Sequence, residues 1–406
     1  MDAEILREIH DKLILHWNYR DLYEIPEELR EEGQHILEIY LKCNFIEKLP
    51  SWLGQLKNLT NLYLYGNRLQ SLPDEIEELE SLFCLDVGLN NLVTLPSTIG
   101  KLSQLNFLCA SRNYLTCLPD EICKLTSLKV LLLSGNMLSH LPESVCNCID
   151  LEELCLDENC LTSLPQRIVY LPKLDFLSVM GNQILYLPAL PFISSPKLCF
   201  ERNPFLNYLT FCLGSQFSFL AGHDGGMWKL DTFGCFESNV GTELLSNFIL
   251  HIKTSFYPAR NYVKLVMPQD LLMVSNTLPG SKKVPSMYEL SIRVVYQILN
   301  NHKLNIEYSN GHHVITMIYE EKNCIPQNYP QNISNQLRKG PTTICNNPDC
   351  NTPIFTHAFV WIISKQIVNT AGDIQEILSA IFFCSDHCSS KCTAYDEFKL
   401  SKISWR

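Results

Sequence analysis

Basic clusters are missing from this sequence. Its 32 Lys and Arg are outnumbered by 43 Asp and Glu, for a formal net charge of −11. Nucleic-acid binding is driven by clustered cations that displace counterions, so this balance argues against it. No run of Lys or Arg suits an anionic membrane surface either. Long apolar runs are also missing, and no window reaches the length that a membrane-spanning helix requires. The N-terminal stretch MDAEILREIHDKLILHW carries acids where a secretion signal needs positive charge, and it has no continuous apolar core. A phosphate-cradling loop is absent too. The segment GHDGG at residues 222–226 lacks the trailing Lys and the wider glycine spacing, so His223 and Asp224 read as turn residues.

These absences set expectations. The chain is expected to be cytoplasmic, with the nucleus left open, and to have no membrane span, no nucleic-acid partner and no evident small-molecule substrate. Its 18 cysteines are then expected to persist as thiols in a reducing compartment. The glycosylation-like triplets at Asn58 and Asn332 become coincidental on the same reading.

What the chain does have is a repeat. With 406 residues, 46% of them hydrophobic, it is long enough for two or three domains. Asparagines stand at Asn18, Asn44, Asn67, Asn90, Asn113, Asn136, Asn159, Asn182 and Asn203, with gaps of 26, then six of 23, then 21. An Ile-Pro or Leu-Pro pair follows the asparagine eight times, from Ile25–Pro26 to Leu187–Pro188. A unit such as LTNLYLYGNRLQSLPDEIEELES has the leucine-rich repeat spacing. The fold class expected is α/β: a parallel-strand horseshoe of about nine repeats, followed by a small α+β module.

Geometry explains the residue types. In LYLYGN, Leu62 and Leu64 point inward and stack on their equivalents, so Leu85, Leu108, Leu131, Leu154 and Leu177 continue one column. The asparagine side chain turns inward to satisfy loop groups that burial would leave unpaired. Proline stands where the chain leaves the strand and no ladder donor is needed. The late units degrade in LYLPALPFISSPKLCFERNP, which places the end of the solenoid near residue 205. The first unit is irregular as well, as expected of a terminal unit that shields the stack.

Binding on such a solenoid falls to the concave face, at strand positions between the leucines. That face is expected to carry Tyr40, Tyr63, Tyr65, Asp86, Phe107, Arg112, Leu132, Asp157 and Phe176, together with Cys84, Cys109, Cys155 and Met180. Aromatics with a few charges suit a protein partner. The alternative is that the rings pack on one another along the sheet, or are covered by the C-terminal half.

Three regions are therefore expected: a solenoid over 1–205, a connecting region over 206–285 and a cysteine-rich module over 286–406. In the connecting region FLAGHDGGMWKLDTF suggests two strands across a turn, and LPGSKKVP suggests a linker. Then SMYELSIRVVYQIL reads as a helix, with Ser286 and Glu289 forming a capping box and Met287, Leu290, Val294 and Ile298 a core stripe. LNIEYS and HHVITMIYEE read as strands.

Cys345 and Cys350 frame ICNNPDCNTPIF, whose Asn-Asn-Pro-Asp stretch predicts a tight turn with facing thiols. Downstream, a short apolar strand runs into Cys384, Ser385 and Asp386 favour a helix start, and Cys388 follows one turn later. A turn knuckle and a helix start, each offering two thiolates, predict a structural zinc site on Cys345, Cys350, Cys384 and Cys388. His357, His387, Cys324 and Cys392 are the replacement ligands. The knuckle has four intervening residues where two are commonest, so buried thiols without metal stay open as an alternative. The catalytic alternative uses Cys384-x-Asp386, which resembles the Cys-x-Asp motif of bacterial leucine-rich repeat ubiquitin ligases. That would make the chain a ubiquitin ligase or transferase acting through Cys384.

The regular Leu-Pro units resemble those of intracellular leucine-rich repeat proteins related to Ras-pathway scaffolds. NYRDLYEIP, YELSIRVVYQILNNHKLN, CNTPIFTHAFVW and FFCSDHC extend the resemblance over most of the chain, though it thins between residues 205 and 285. The resemblance implies an architecture and no established activity. The resulting expectation is a non-enzymatic adaptor or scaffold, possible in signal transduction, that binds a protein partner.

Overall fold

The computed structural model describes residues 3–206 apart from 191 and 195. Beyond them it describes 209–210, 249–253, 262–266, 271, 273–276, 289–290, 292–293, 305–309, 312–316, 331, 333, 336–337, 341–347, 350, 352–368 and 374–391. The chain divides into two compact units, one of Met1–Asn182 with Pro196–Arg202 and one of Gln183–Ser195 with Asn203–Arg406.

The first unit holds one sheet of nine parallel strands in sequence order. The strands are β1 (Ile14–His16), β2 (Glu38–Tyr40), β3 (Asn61–Tyr63), β4 (Cys84–Asp86), β5 (Phe107–Cys109), β6 (Val130–Leu132), β7 (Glu153–Cys155), β8 (Phe176–Ser178) and β9 (Lys197–Cys199). Their middle residues run in register from Leu62 through Leu85, Leu108, Leu131 and Leu154 to Leu177. Each leucine of this column is fully buried. Burying such a side chain contributes about 1.5–3 kcal/mol, and the contact exists only when units are stacked.

Each Leu-Pro pair starts the return path. Pro50, Pro73, Pro96, Pro119, Pro142 and Pro165 precede five-residue 3-10 turns. Their N–H groups would have no acceptor at that point, so nothing is lost by proline. Each turn buries one apolar residue at its third position, from Leu53 to Ile168.

The asparagines form a continuous ladder. Asn113 Nδ2 donates to the carbonyls of Val87 and Ala110, both at about 3 Å, and its Oδ1 accepts the Leu92 N–H at 2.9 Å. Asn67, Asn90, Asn136, Asn159 and Asn182 repeat this pattern. The residue before the asparagine adopts a left-handed backbone in every one of these units. Gly66, Gly135 and Gly181 do so freely, whereas Cys43, Leu89, Arg112, Glu158 and Arg202 have φ between 51° and 58°.

The irregular first unit carries helix α1 (Ala3–Asp11), which buries Ile9. Glu8 fastens the helix to the stack by accepting Trp17 Nε1–H at 2.7 Å and Arg20 Nη2–H at 2.9 Å. Tyr19 and Asp21 both take positive φ in this unit. A second short helix, α2 (Glu28–Glu32), stands where later units have 3-10 turns.

In the second unit, β10 (Leu209–Thr210), β13 (Met273–Asn276), β18 (His357–Val368) and β19 (Ile374–Phe383) make a sheet of order β10-β19-β18-β13. Strands β18 and β19 form an antiparallel hairpin that begins at Phe359–Phe383. The strand leading to Cys384 is therefore ten residues long, where the sequence suggested a short one. Two further hairpins pair β11 (Ile249–Lys253) with β12 (Tyr262–Val266), and β14 (Asn305–Ser309) with β15 (His312–Thr316). The last matches the strands expected from LNIEYS and HHVITMIYEE. A small ladder joins β16 (Thr343–Ile344) to β17 (Pro353–Ile354), and helix α3 (Asp386–Lys391) follows β19. Phe355, Phe359, Phe382 and Phe383 are fully buried in this unit. The expected strands around residues 219–233 and the expected linker at 278–285 lie outside the described residues.

Candidate metal centre and interaction face

The cysteine cluster is assembled by two local structures. Between β16 and β17 the chain reverses through the predicted turn, with Cys350 N–H on the Asn347 carbonyl at 3.0 Å and Cys345 N–H on the Thr352 carbonyl at 2.8 Å. At the other half, Ser385 caps α3, its Oγ accepting the Cys388 N–H at 3.2 Å. Asn346 sews the halves together. Its N–H reaches the Phe382 carbonyl and its Oδ1 accepts the Phe382 N–H, each at 2.8 Å.

The result brings the Sγ atoms of Cys345, Cys350, Cys384 and Cys388 within 4.8 Å of one another. Cys384 Sγ lies 3.5 Å from both Cys350 Sγ and Cys388 Sγ. A tetrahedral ion with metal–sulfur bonds of about 2.3 Å needs sulfurs about 3.8 Å apart, so the spacing and the donor set fit zinc. Cys345 and Cys384 are buried, and Cys350 and Cys388 are half-buried. Among the described residues the cysteines are free thiols.

Crowding perturbs these thiols. Hydrogen bonds from Cys345 and Cys384 hold Cys350 well below the usual thiol range, while bonding to Cys350 and Cys384, then burial, pushes Cys345 well above it. At Cys384 the bond from Cys345 acts downward, but bonding to Cys350, burial and the charge of Cys350 outweigh it and raise the thiol to about 12. Four thiolates at this spacing need a cation among them.

Of the replacement ligands, His357 is buried with its ring stacked on Phe359 at 5.2 Å, and His387 is exposed; neither belongs to the cluster. Cys324 and Cys392 lie outside the described residues. Sequence reasoning missed the support beneath the cluster. Glu289 and Arg293, one turn apart, are paired at 2.7 Å and buried, and both reach the segments that carry the cysteines. The Ser-x-x-Glu pattern gave Glu289 only a local capping role.

The strand face of the repeats is the second candidate site. His16, Tyr40, Tyr63, Asp86, Cys109, Leu132, Cys155, Ser178 and Cys199 form one column in register. Tyr40 stacks on Tyr63 at 4.4 Å and meets His16 at 4.8 Å, so part of the strip does pack ring against ring. Lys42 Nζ sits 4.7 Å over the Tyr63 ring and 3.5 Å from the Asp86 carboxylate. Burial, then hydrogen bonding to Cys84, raises the Tyr63 hydroxyl above its usual range; burial raises Cys84 and Cys109 as well.

Asp157 is engaged by Ser178 Oγ at 2.5 Å and by Met180 N–H at 2.8 Å. Tyr65, Phe107, Leu132 and Phe176 remain half-buried, with Lys197 Nζ 5.9 Å from the Phe176 ring. Arg112 is exposed, at the left-handed step before Asn113. Among the described residues no helix is long and apolar enough to cross a membrane.

Comparison with known proteins agrees with the repeat. The profile "Leucine-rich repeat region" matches residues 39–131, and "Leucine rich repeat" matches 126–184. No curated protein matches the chain. Among solved structures, a leucine-rich repeat protein of Leptospira interrogans is similar at 27% identity, over 53% of this chain and 61% of its own, with a TM-score of 0.43. Internalin C2 of Listeria monocytogenes is similar at 24% identity, over 49% of this chain and 80% of its own, with a TM-score of 0.40. A plant peptide hormone receptor, RGFR1 in complex with RGF2, is similar at 25%, over 46% and 30%, with a TM-score of 0.38. The chain thus spans less than two thirds of the Leptospira protein's length. Residues 39–184 are leucine-rich repeats.

Proposed function

We propose that this chain is a non-enzymatic adaptor or scaffold, cytoplasmic and suited to signalling, whose repeat face binds a protein partner. Leucine-rich repeats commonly mediate protein–protein interaction. The observation that carries the reading is the run of half-buried Tyr65, Phe107, Leu132 and Phe176 on one sheet face. Such aromatic and apolar anchors are what protein interfaces use. The second unit contributes a structural zinc site on Cys345, Cys350, Cys384 and Cys388, which holds the knuckle to the end of β19. Zinc supplies a rigid crosslink there, and its binding free energy becomes folding free energy. The layout further resembles that of leucine-rich repeat-containing protein 28, on the segments quoted above.

Burial and two thiol neighbours at 3.5 Å disfavour Cys384 as a ubiquitin-carrying nucleophile, which must be open to attack. The adaptor reading is tested by the variant Tyr63→Ala/Tyr65→Ala/Phe107→Ala. It should lose the partners that in-cell crosslinking captures on the wild type while still unfolding cooperatively, with a transition lowered by loss of the Tyr40–Tyr63 stack. Intact capture by a folded variant would remove the strand face from consideration.

A further inference from the structure

The β18–β19 ladder ends at Phe359–Phe383, just short of the cysteines. Backbone groups past that point have no strand partner in the pair, yet they are buried. Glu289 and Arg293 meet them. Glu289 Oε1 accepts the Phe355 N–H at 3.0 Å, and Oε2 accepts the Thr356 N–H at 2.6 Å, the Thr356 hydroxyl at 2.8 Å and the His357 N–H at 3.2 Å. Arg293 Nε–H donates to Glu289 at 2.7 Å. Its two terminal nitrogens diverge, Nη1 to the Cys384 carbonyl at 3.2 Å and Nη2 to the His357 carbonyl at 3.4 Å.

We infer that Arg293, oriented by Glu289, is a positioning residue for the metal centre, holding the peptide of Cys384 against the start of β18. This rests on the zinc reading above. The planar guanidinium suits the task, because three separate nitrogens of its rigid fork hold a carboxylate and two carbonyls in fixed, divergent directions, whereas an ammonium is a point donor on a flexible stem. Cys384 lies 3.5 Å from two of the other sulfurs, so a shift of its peptide misplaces the sulfur that joins the two halves of the cluster. Glu289 fixes the same junction from the other side, because the three amides it accepts follow directly from β17 and lead into β18. Groups that orient metal ligands in this way typically change affinity by about 10–100-fold when removed.

The test uses the full chain, purified reduced, with zinc and cobalt(II) as probes. Wild type should hold zinc through the cluster and show the thiolate charge-transfer bands of a tetrahedral cobalt site. Arg293→Met should lose zinc to a chromophoric chelator roughly 10–100-fold more readily, with altered cobalt bands, and Arg293→Lys should fall between. Leu271→Ala truncates a buried apolar side chain of the same unit and controls for general destabilisation. It should lower the thermal transition and leave zinc affinity unchanged. Wild-type zinc affinity in Arg293→Met, or an equal loss in Leu271→Ala, would overturn the positioning role while leaving the zinc reading intact. A wild-type chain that takes up neither metal would overturn both.

Discussion

Replacing Asn113 by alanine deletes four hydrogen bonds, but the groups left behind are not equally exposed to the loss: the Ser111 carbonyl, for one, keeps the Leu89 N–H. The Val87 carbonyl keeps the Nδ2 of Asn90, and the Ala110 carbonyl keeps the Nδ2 of Asn136. The Leu92 N–H loses the side-chain oxygen that accepted it. An orphaned buried amide costs about 1–3 kcal/mol and each lost bond about 0.5–1.5 kcal/mol, so the single change should cost roughly 3 kcal/mol. Asn136→Ala should cost about the same. The double variant strips the Ala110 carbonyl of both asparagine donors, so it should cost about 1–2 kcal/mol more than the sum. Asn67 and Asn136 share no carbonyl, and that pair should be additive to within about 0.5 kcal/mol. Urea unfolding followed by far-UV circular dichroism gives both cycles. Equal coupling for the adjacent and the distant pair, or none for either, would refute the shared-carbonyl ladder.

Two further outcomes follow from the same unit. Arg112 is exposed and has φ of 56°, where an L-residue pays about 1–2 kcal/mol. Arg112→Gly should therefore stabilise the solenoid by about 0.5–1 kcal/mol net of glycine's extra chain entropy, and Gly66→Ala should do the opposite; thermal unfolding measures both. Glu8 is held at about 2 in the folded chain, against an ordinary 4.5, first by its hydrogen bond from Arg20. Its folded pKa is depressed, so its contribution is complete above about 4.5 and disappears as pH falls through about 2. Discounted for screening at this surface site, it amounts to about 1–2 kcal/mol, and Glu8→Gln should flatten the stability profile across that interval.

The solenoid was legible because its signals are local and recur. Leucine, asparagine and proline fall at fixed offsets, and each structural role needs only the neighbouring unit. The cysteine pairs were legible for a related reason: a turn-forming stretch and a helix start each fix two thiols over a short span. The support beneath the cluster was not legible. Glu289 meets partners 66 to 68 residues away, and nothing near it in the sequence distinguishes a buried carboxylate from a capping one. The left-handed step could have been found, since Gly66, Gly135 and Gly181 each stand directly before an asparagine. What hid it is that the other units place Cys43, Leu89, Arg112, Glu158 and Arg202 there, against their backbone preference.

The same distinction bears on how the proposed partner surface would work. Of the polar groups assigned to recognition from the sequence, Arg112 is exposed, but three are engaged within the fold: Asp86 by Lys42 and the Gly88 N–H, Asp157 by Ser178 and Met180, and the Tyr40 hydroxyl by Glu38. Drawing them toward a partner would break bonds already made, so they offer little net affinity. The ring faces and apolar edges of Tyr65, Phe107, Leu132 and Phe176 carry no such penalty, because covering them removes only water. Affinity on this face should therefore follow apolar contact at the centre of the strip and depend weakly on salt. The net charge of −11 would then act on the rate of encounter more than on the strength of the complex.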